Sequence, residues 1–144
     1  MTLSLSDRIN RKRKTDELIA EIAGEAKGEY ALHKSIVDAL ERFRLPGVIW
    51  FHCPSGIHAS AKAMIRMKPL GFIAGVADLC ISIPGNRFCF MEIKTPSGRL
   101  SEHQEAFLAG MERNGHRTAV VRSVDEAMFV LRDWGAIRAA RRMA

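Results

Sequence analysis

The sequence predicts an α/β fold, because segments with the apolar spacing of helices alternate with shorter segments rich in β-branched and aromatic residues. Two features support this most directly. Residues 27–44 carry one apolar stripe at three- and four-residue steps, and Pro84-Gly85-Asn86 separates two apolar runs as a hairpin turn does. Because 144 residues is the length of one ordinary domain, we expect a single core.

The first helix is expected over residues 27–44, and Pro46-Gly47 ends it. Its apolar stripe consists of Leu32, Ile36, Leu40 and Phe43. Glu29 lies on the same stripe. A carboxylate there either sits at the exposed start of the helix or points into a polar cleft that holds a partner for its charge. The helix alone leaves both interpretations open.

Four segments rich in β-branched and aromatic residues are predicted to be strands: residues 47–53, 76–83, 87–94 and 118–122. The first of them is expected to be buried. A short basic helix is predicted over residues 59–69, and residues 71–75 form a flexible connection to the second strand. Ser123 caps a last helix, which closes at Trp134-Gly135.

A further helix follows the third strand, since Ser101 and Gln104 have the spacing of an S-x-x-Q capping box. Gln104 also begins an apolar stripe and therefore faces inward. Two interpretations remain open for this glutamine. It either only caps its own helix, or its amide orients Lys94 or a phosphate.

The end of the third strand carries charge. Side chains alternate across a strand, so Glu92 and Lys94 share one face. A three-residue turn at Gly85-Asn86-Arg87 would place Asp78 opposite Lys94 and diagonal to Glu92. A two-residue turn would put Asp78 on the other face. We predict the odd-length turn, or a bulge with the same effect.

These side chains have the chemistry of a hard-cation site. Asp78 and Glu92 supply carboxylate oxygens and the backbone carbonyl of Ile93 can supply a third donor, a set that suits Mg²⁺. Lys94 beside them can position or help to deprotonate a water and offset negative charge at a phosphorus atom. The alternative is a salt bridge at a strand end, which is common and contributes little.

The charge of the chain indicates the class of partner. Its formal net charge is +6, which favours a polyanion, most commonly a nucleic acid.

No apolar run is long enough to cross a bilayer, and the N-terminus lacks the apolar region of a secretory signal. We therefore expect an intracellular protein whose three cysteines, Cys53, Cys80 and Cys89, are reduced core thiols.

In this order, the motifs GVADL (Gly75–Leu79), MEIK (Met91–Lys94) and GRLSEHQ (Gly98–Gln104) resemble those of the VRR-NUC family in the PD-(D/E)XK nuclease superfamily. The resemblance implies a nuclease dependent on Mg²⁺ or Mn²⁺. It places Asp78, Glu92 and Lys94 at the catalytic positions. Glu29 and Gln104 fall at accessory acidic and glutamine positions, with Glu29 a possible further metal ligand.

The resemblance also implies a restriction-endonuclease-like core, a central four-stranded mixed sheet flanked by helices, over residues 27–135. A basic arm (1–26) and a basic tail (136–144) would lie outside it. Stand-alone relatives of this size look like phage or bacterial homodimers that cleave branched DNA, including Holliday junctions, in the cytoplasm. A flap, nicking or end-processing nuclease, and a DNA-binding module without catalysis, are the alternatives.

Overall fold

A computed structural model of the chain describes residues 28–54, 60–85 and 87–138, and six separate positions before residue 18. The described helices are α1 (Gly28–Phe43), α2 (Ala61–Met67), α3 (Glu102–Arg113) and α4 (Val124–Trp134), and a 3₁₀ helix spans Lys68–Leu70. The strands are β1 (Ile49–His52), β2 (Leu79–Ile83), β3 (Arg87–Ile93) and β4 (Arg117–Val121). Most of the predicted basic arm and most of the predicted tail lie outside the described residues.

The described residues form two compact units, of which one comprises residues 28–46 and 121–138. In it α1 packs against α4. The apolar stripe of α1 is buried as its spacing predicts, with Leu32, Ile36 and Leu40 each at most 5% exposed. Ser123 caps α4 by accepting a hydrogen bond from the Glu126 N–H, so the predicted start of this helix is confirmed.

The other unit comprises residues 47–120. The strands form one sheet in the order β1-β2-β3-β4, in which β1 pairs antiparallel with β2 and β2 antiparallel with β3. β4 follows β3 through α3 and completes a mixed sheet. The predicted α/β fold with a four-stranded mixed sheet is therefore confirmed, and the hairpin strands β2 and β3 occupy its centre.

The hairpin register differs from the predicted one by two residues. Ile83 pairs with Arg87, so three residues separate the paired strand ends and the turn begins at Pro84, one residue earlier than predicted. The odd length of the turn is confirmed, but the pairing of Asp78 with Lys94 is wrong. Leu79 faces Met91, which places Asp78, directly before it, level with Glu92. The reason is Pro84, which has no N–H to donate to the ladder and so belongs to the turn.

β1 is not the buried strand that its composition suggests. It lies at the edge of the sheet, and Ile49 and Phe51 are 62% and 51% exposed. An edge strand has one neighbouring strand, so its side chains are covered less completely than those of β2 and β3. Apolar and β-branched composition identifies a strand but does not distinguish an edge position from a central one.

The three thiols are free, as predicted, and they differ in burial. Cys80 and Cys89 are buried and Cys53 is half-buried. Burial, followed by the neighbouring cysteines, raises the pKa of Cys80 to about 11. Burial also raises the pKa of Cys89, and burial together with the Asp78 carboxylate raises that of Cys53. Each thiol is therefore protonated at neutral pH.

This difference predicts the order of thiol modification. With a pKa of about 11, Cys80 has a thiolate fraction roughly 100-fold smaller than an ordinary cysteine, and burial slows its reaction further. We expect a disulfide reagent at pH 8 to modify Cys53 first and to reach Cys80 and Cys89 only in denaturant. Mass spectrometry of the modified peptides measures the order. Equal rates for all three thiols in the native protein would contradict it.

Candidate active site

Asp78 directly precedes β2 and is held by both neighbouring strands. Its Oδ2 accepts a hydrogen bond of 2.8 Å from the N–H of Ile93 in β3. On the other side, its backbone carbonyl accepts a hydrogen bond of 2.9 Å from the N–H of Cys53, and Nδ1 of His52 lies 2.9 Å from the same oxygen. The hydrogen bond from Ile93 fixes the carboxylate in position. Asp78 is half-buried, so it is also partly open to solvent.

Glu92 is a buried carboxylate, with 1% of its surface exposed. Its Oε1 is 3.1 Å from Nζ of Lys94 and accepts a hydrogen bond of 2.5 Å from Nε2 of Gln104. The Lys94 side chain is itself only 12% exposed. Burying a carboxylate is costly unless it is paired with a cation and hydrogen-bonded, and these two neighbours supply both. The pair is therefore not the exposed surface salt bridge that we weighed as an alternative.

Gln104 caps its helix, as one interpretation held, and its amide also donates to Glu92, so it does more than cap; a role in orienting Lys94 or a phosphate stays a prediction. Oε1 of Gln104 accepts a hydrogen bond of 2.9 Å from the N–H of Ser101, while the Ser101 hydroxyl accepts one from the Gln104 N–H. These are the two bonds of a capping box, which the spacing predicted. The Nε2 group of the same amide is the donor to Glu92. Capping the helix thus orients the amide toward the carboxylate.

The sheet brings the two carboxylates to the same region. Asp78 is level with Glu92 in the hairpin register, and a shift of two residues keeps side chains on their original face. Residues directly opposite each other in an antiparallel pair have Cβ atoms about 5 Å apart. The hydrogen bond from Ile93 to Asp78 holds the end of this pairing together. Four of the five predicted site residues, Asp78, Glu92, Lys94 and Gln104, thus lie in one neighbourhood.

Glu29 belongs to the other compact unit. It lies in the first turn of α1 and is exposed, which agrees with the interpretation of a helix start in solvent. Its catalytic or metal-binding role stays a prediction. An acidic side chain in the first turn also interacts favourably with the helix dipole, so its presence there has a local structural reason.

The oxygen donors of the site fit the predicted cation. Within residues 28–54, 60–85 and 87–138, no group of three or more His, Cys, Asp or Glu side chains is arranged to hold a metal ion. The carboxylates that this neighbourhood offers are Asp78 and Glu92. Mg²⁺ commonly binds proteins through one or two carboxylates, keeps several waters and accepts backbone carbonyls, so this set suits it.

Sequence reasoning missed two features of this neighbourhood. The first is that the edge strand supports Asp78 through His52 and the backbone of Cys53. The second is Gly75, in the segment predicted to be a flexible connection. Its backbone lies so close to the first turn of α3 that an added Cβ would be 2.3 Å from the His103 carbonyl carbon and 2.6 Å from the Gln104 nitrogen. Gly75 has a positive φ of +82°, and the glycine in the sequence was the one signal that could have indicated such a backbone conformation.

Comparisons with known proteins identify the family and support the fold. The sequence matches the VRR-NUC domain family over residues 27–125. A solved structure described as a VRR_NUC domain protein has a TM-score of 0.62 and 18% identity, covering 75% of this chain and 88% of its own. A second, described as a VRR_NUC domain, has a TM-score of 0.52 and 18% identity, covering 74% of this chain and 96% of its own. At these identities the two structures support the fold alone. No curated protein matches the sequence.

The four-stranded mixed sheet, with two carboxylates and a lysine where its central strands meet, defines the class of α/β proteins with a nuclease-like core. The family match spans more than half of the chain. The chain belongs to the VRR-NUC family, a family of nucleases. None of its described helices is long and apolar enough to cross a membrane.

Proposed function

We propose that this protein is a metal-dependent, structure-specific endonuclease that hydrolyses phosphodiester bonds in branched DNA. The observation that carries the proposal is the buried Glu92 carboxylate with Lys94 and Gln104 at its Oε1, beside the fixed carboxylate of Asp78. A buried charge that only stabilised the fold would be replaceable by apolar packing at little cost. Two neighbouring carboxylates, in contrast, can bind a divalent cation.

The cation of this proposal is Mg²⁺ or Mn²⁺, held by Asp78, Glu92 and the backbone carbonyl of Ile93, with Glu29 as a possible further ligand. The N–H of Ile93 donates to Asp78, and in an extended strand the carbonyl of the same residue points to the same side. Both oxygen types are those that Mg²⁺ prefers. When bound, the ion polarises a phosphate oxygen and lowers the pKa of a water.

The residues of the chain contribute orientation and charge. Lys94 Nζ, held at 3.1 Å by Glu92, orients the attacking water and offsets negative charge that grows on the phosphate oxygens. Gln104 holds the Glu92 carboxylate from the other side. In the hydrolysis, the water oxygen bonds to phosphorus and the bond from phosphorus to the leaving sugar oxygen breaks. The attacking water loses one proton and the leaving oxygen gains one.

The preferred substrate of the proposal is a four-way junction, cut by paired nicks from a homodimer in the cytoplasm of a bacterial or phage-infected cell. A symmetric junction needs two equivalent cuts, and a twofold dimer presents two equivalent sites. Large apolar side chains that are exposed in residues 47–120 provide surface for such contacts: Ile49, Phe51, Ile65, Leu70 and Ile73. DNA shape would be recognised through phosphates.

The deciding experiment incubates the purified protein with labelled four-way, flap and linear DNA in Mg²⁺, Mn²⁺ or EDTA. We expect paired symmetric nicks in the junction, activity with either cation, and none in EDTA. Gel filtration with light scattering measures the predicted dimer. Cleavage that persists in EDTA would overturn the metal mechanism. If the protein cleaved flap DNA and left four-way junctions intact, it would be a flap or end-processing nuclease and not a junction-cleaving one.

The salt dependence of binding tests the contacts with phosphates. If about six phosphates are neutralised, the affinity measured without divalent metal should fall with a log–log salt slope of about −5. The exposed Lys62 and Lys68 lie in and after α2. Replacing both with glutamine should reduce the magnitude of the slope by roughly 2, at about 0.9 per lost phosphate contact.

Lys34→Gln provides the control for this measurement, because Lys34 is ion-paired with Asp38 one turn along α1. We expect its slope to equal that of the unaltered protein. A slope near zero in the unaltered protein would contradict binding through phosphates.

A further inference from the structure

The segment before Asp78 makes an unusually close backbone contact. A Cβ built on Gly75 would lie 2.3 Å, 2.4 Å and 2.6 Å from the carbonyl carbon of His103, its oxygen and the nitrogen of Gln104. All three are backbone atoms of the first turn of α3, so they cannot move as the end of a flexible side chain can. Gly75 also has a φ of +82°, which L residues rarely adopt. Two independent properties therefore require glycine here.

This contact connects the segment that leads to Asp78 with the helix start that carries Gln104. Gly75 precedes Asp78 by three residues, and it touches the backbone of Gln104, whose amide donates to Glu92. The first turn of α3 is further fixed by its capping box, so a displacement of its backbone carries the Gln104 amide with it. The position of the helix start thus determines the distance between Nε2 of Gln104 and Oε1 of Glu92.

We propose that Gly75 is a positioning residue that seats the start of α3 so that Gln104 reaches Glu92. Its effect on cleavage rests on the proposed nuclease function, whereas its effect on the contact between Gln104 and Glu92 does not. Gly75 does not touch the reacting atoms. It acts through Gln104, and substitutions at the two positions are therefore coupled.

The chain contains a matched control. Gly71 also has a positive φ, +91°, but no atom lies within 4 Å of a Cβ added to it. Alanine at either position has the same kind of backbone strain, of about 1 kcal/mol. Comparing the two variants therefore separates the effect of strain from the effect of the close contact. Gly75→Ala therefore tests the contact, and Gly71→Ala tests what the left-handed backbone alone contributes.

The first measurement uses the protein without metal or DNA. In NMR spectra, the side-chain amide of Gln104, assigned from its loss in Gln104→Ala, should have the shifted proton of an amide bonded to a carboxylate. We expect Gly75→Ala to move this signal toward that of an exposed glutamine and Gly71→Ala to leave it in place. A Gln104 signal that is equal in the two variants would overturn the proposal.

A second measurement covers the case in which Gly75→Ala does not fold. In the unaltered protein, a nuclear Overhauser effect between the Gly75 α-protons and the Gln104 backbone amide proton should report the contact directly. Its absence would also overturn the proposal. Neither measurement requires nuclease activity, so a protein that cleaves no DNA would overturn the proposed function and leave the positioning role to be judged by NMR.

The kinetic consequence is measured by a double-mutant cycle in cleavage of the junction. We expect Gly75→Ala to lower kcat about 10²-fold, as a misplacement of about 1 Å can, with KM little changed. Gly71→Ala should change kcat by less than about 3-fold. Because Gly75 acts through Gln104, adding Gly75→Ala to Gln104→Ala should cost less than about 3-fold more. Independent, fully additive losses would contradict the coupling.

Discussion

Replacement of Glu92 by glutamine is expected to lower kcat/KM for DNA cleavage about 10³-fold, equivalent to about 4 kcal/mol of transition-state stabilisation. Glutamine keeps the size of the side chain and removes its charge. The variant loses a carboxylate ligand for the cation and the ion pair that holds Lys94 at 3.1 Å. Because the shape is preserved, the variant should fold, which circular dichroism can verify.

The controls for Glu92→Gln separate chemistry from binding. Its affinity for junction DNA in EDTA should stay within about 3-fold of the unaltered protein, since we propose that exposed basic residues, and not Glu92, contact the phosphates. Glu105→Gln makes the same charge change at an exposed position on α3 and should leave cleavage unchanged. Full activity of Glu92→Gln would exclude this carboxylate from the mechanism, whatever the result for Asp78.

Removal of Lys94 is expected to have the largest effect on stability. In Lys94→Met, Glu92, which is 1% exposed in the unaltered protein, loses the ammonium group beside its Oε1. Breaking a buried ion pair in this way commonly destabilises a protein by about 3–5 kcal/mol. We expect that decrease in the free energy of unfolding, measured by urea denaturation at pH 7, together with loss of cleavage.

The double variant Glu92→Gln, Lys94→Met distinguishes an unpaired charge from lost packing. Since neither charge is then present, its free energy of unfolding should lie within about 1 kcal/mol of that of Glu92→Gln alone. Lys62→Met, which removes an exposed lysine, should change stability by no more than about 0.5 kcal/mol. If Lys94→Met and the double variant were equally unstable, the loss would come from packing of the lysine chain.

Features that depend on neighbouring residues could be predicted from the sequence. Ser101 and Gln104 are three residues apart, and their capping box requires only that a helix begins there. Glu92 and Lys94 are two residues apart in a strand and therefore share a face. The odd length of the hairpin turn followed from placing Asp78 on that same face. These predictions rest on the fixed periods of helices and strands.

Features that depend on distant parts of the chain could not be predicted in the same way. The register of the hairpin was wrong by two residues, because either position of a three-residue turn keeps Asp78 on the correct face. β1 was expected to be buried, since strand composition does not report the number of neighbouring strands. Residues 71–75 were expected to be flexible, yet Gly75 lies against the backbone of α3.

By itself, the sequence determined which groups are present for chemistry and which of them lie on one face, since side-chain identity and local period require no knowledge of the rest of the fold. Only the tertiary structure decided that Oε1 of Glu92 accepts a hydrogen bond from Gln104, and that the Ile93 N–H donates to the Asp78 carboxylate. The physical reason is distance along the chain. Contacts between residues 12 to 15 positions apart depend on how a strand and a helix are placed against each other, and packing sets that placement.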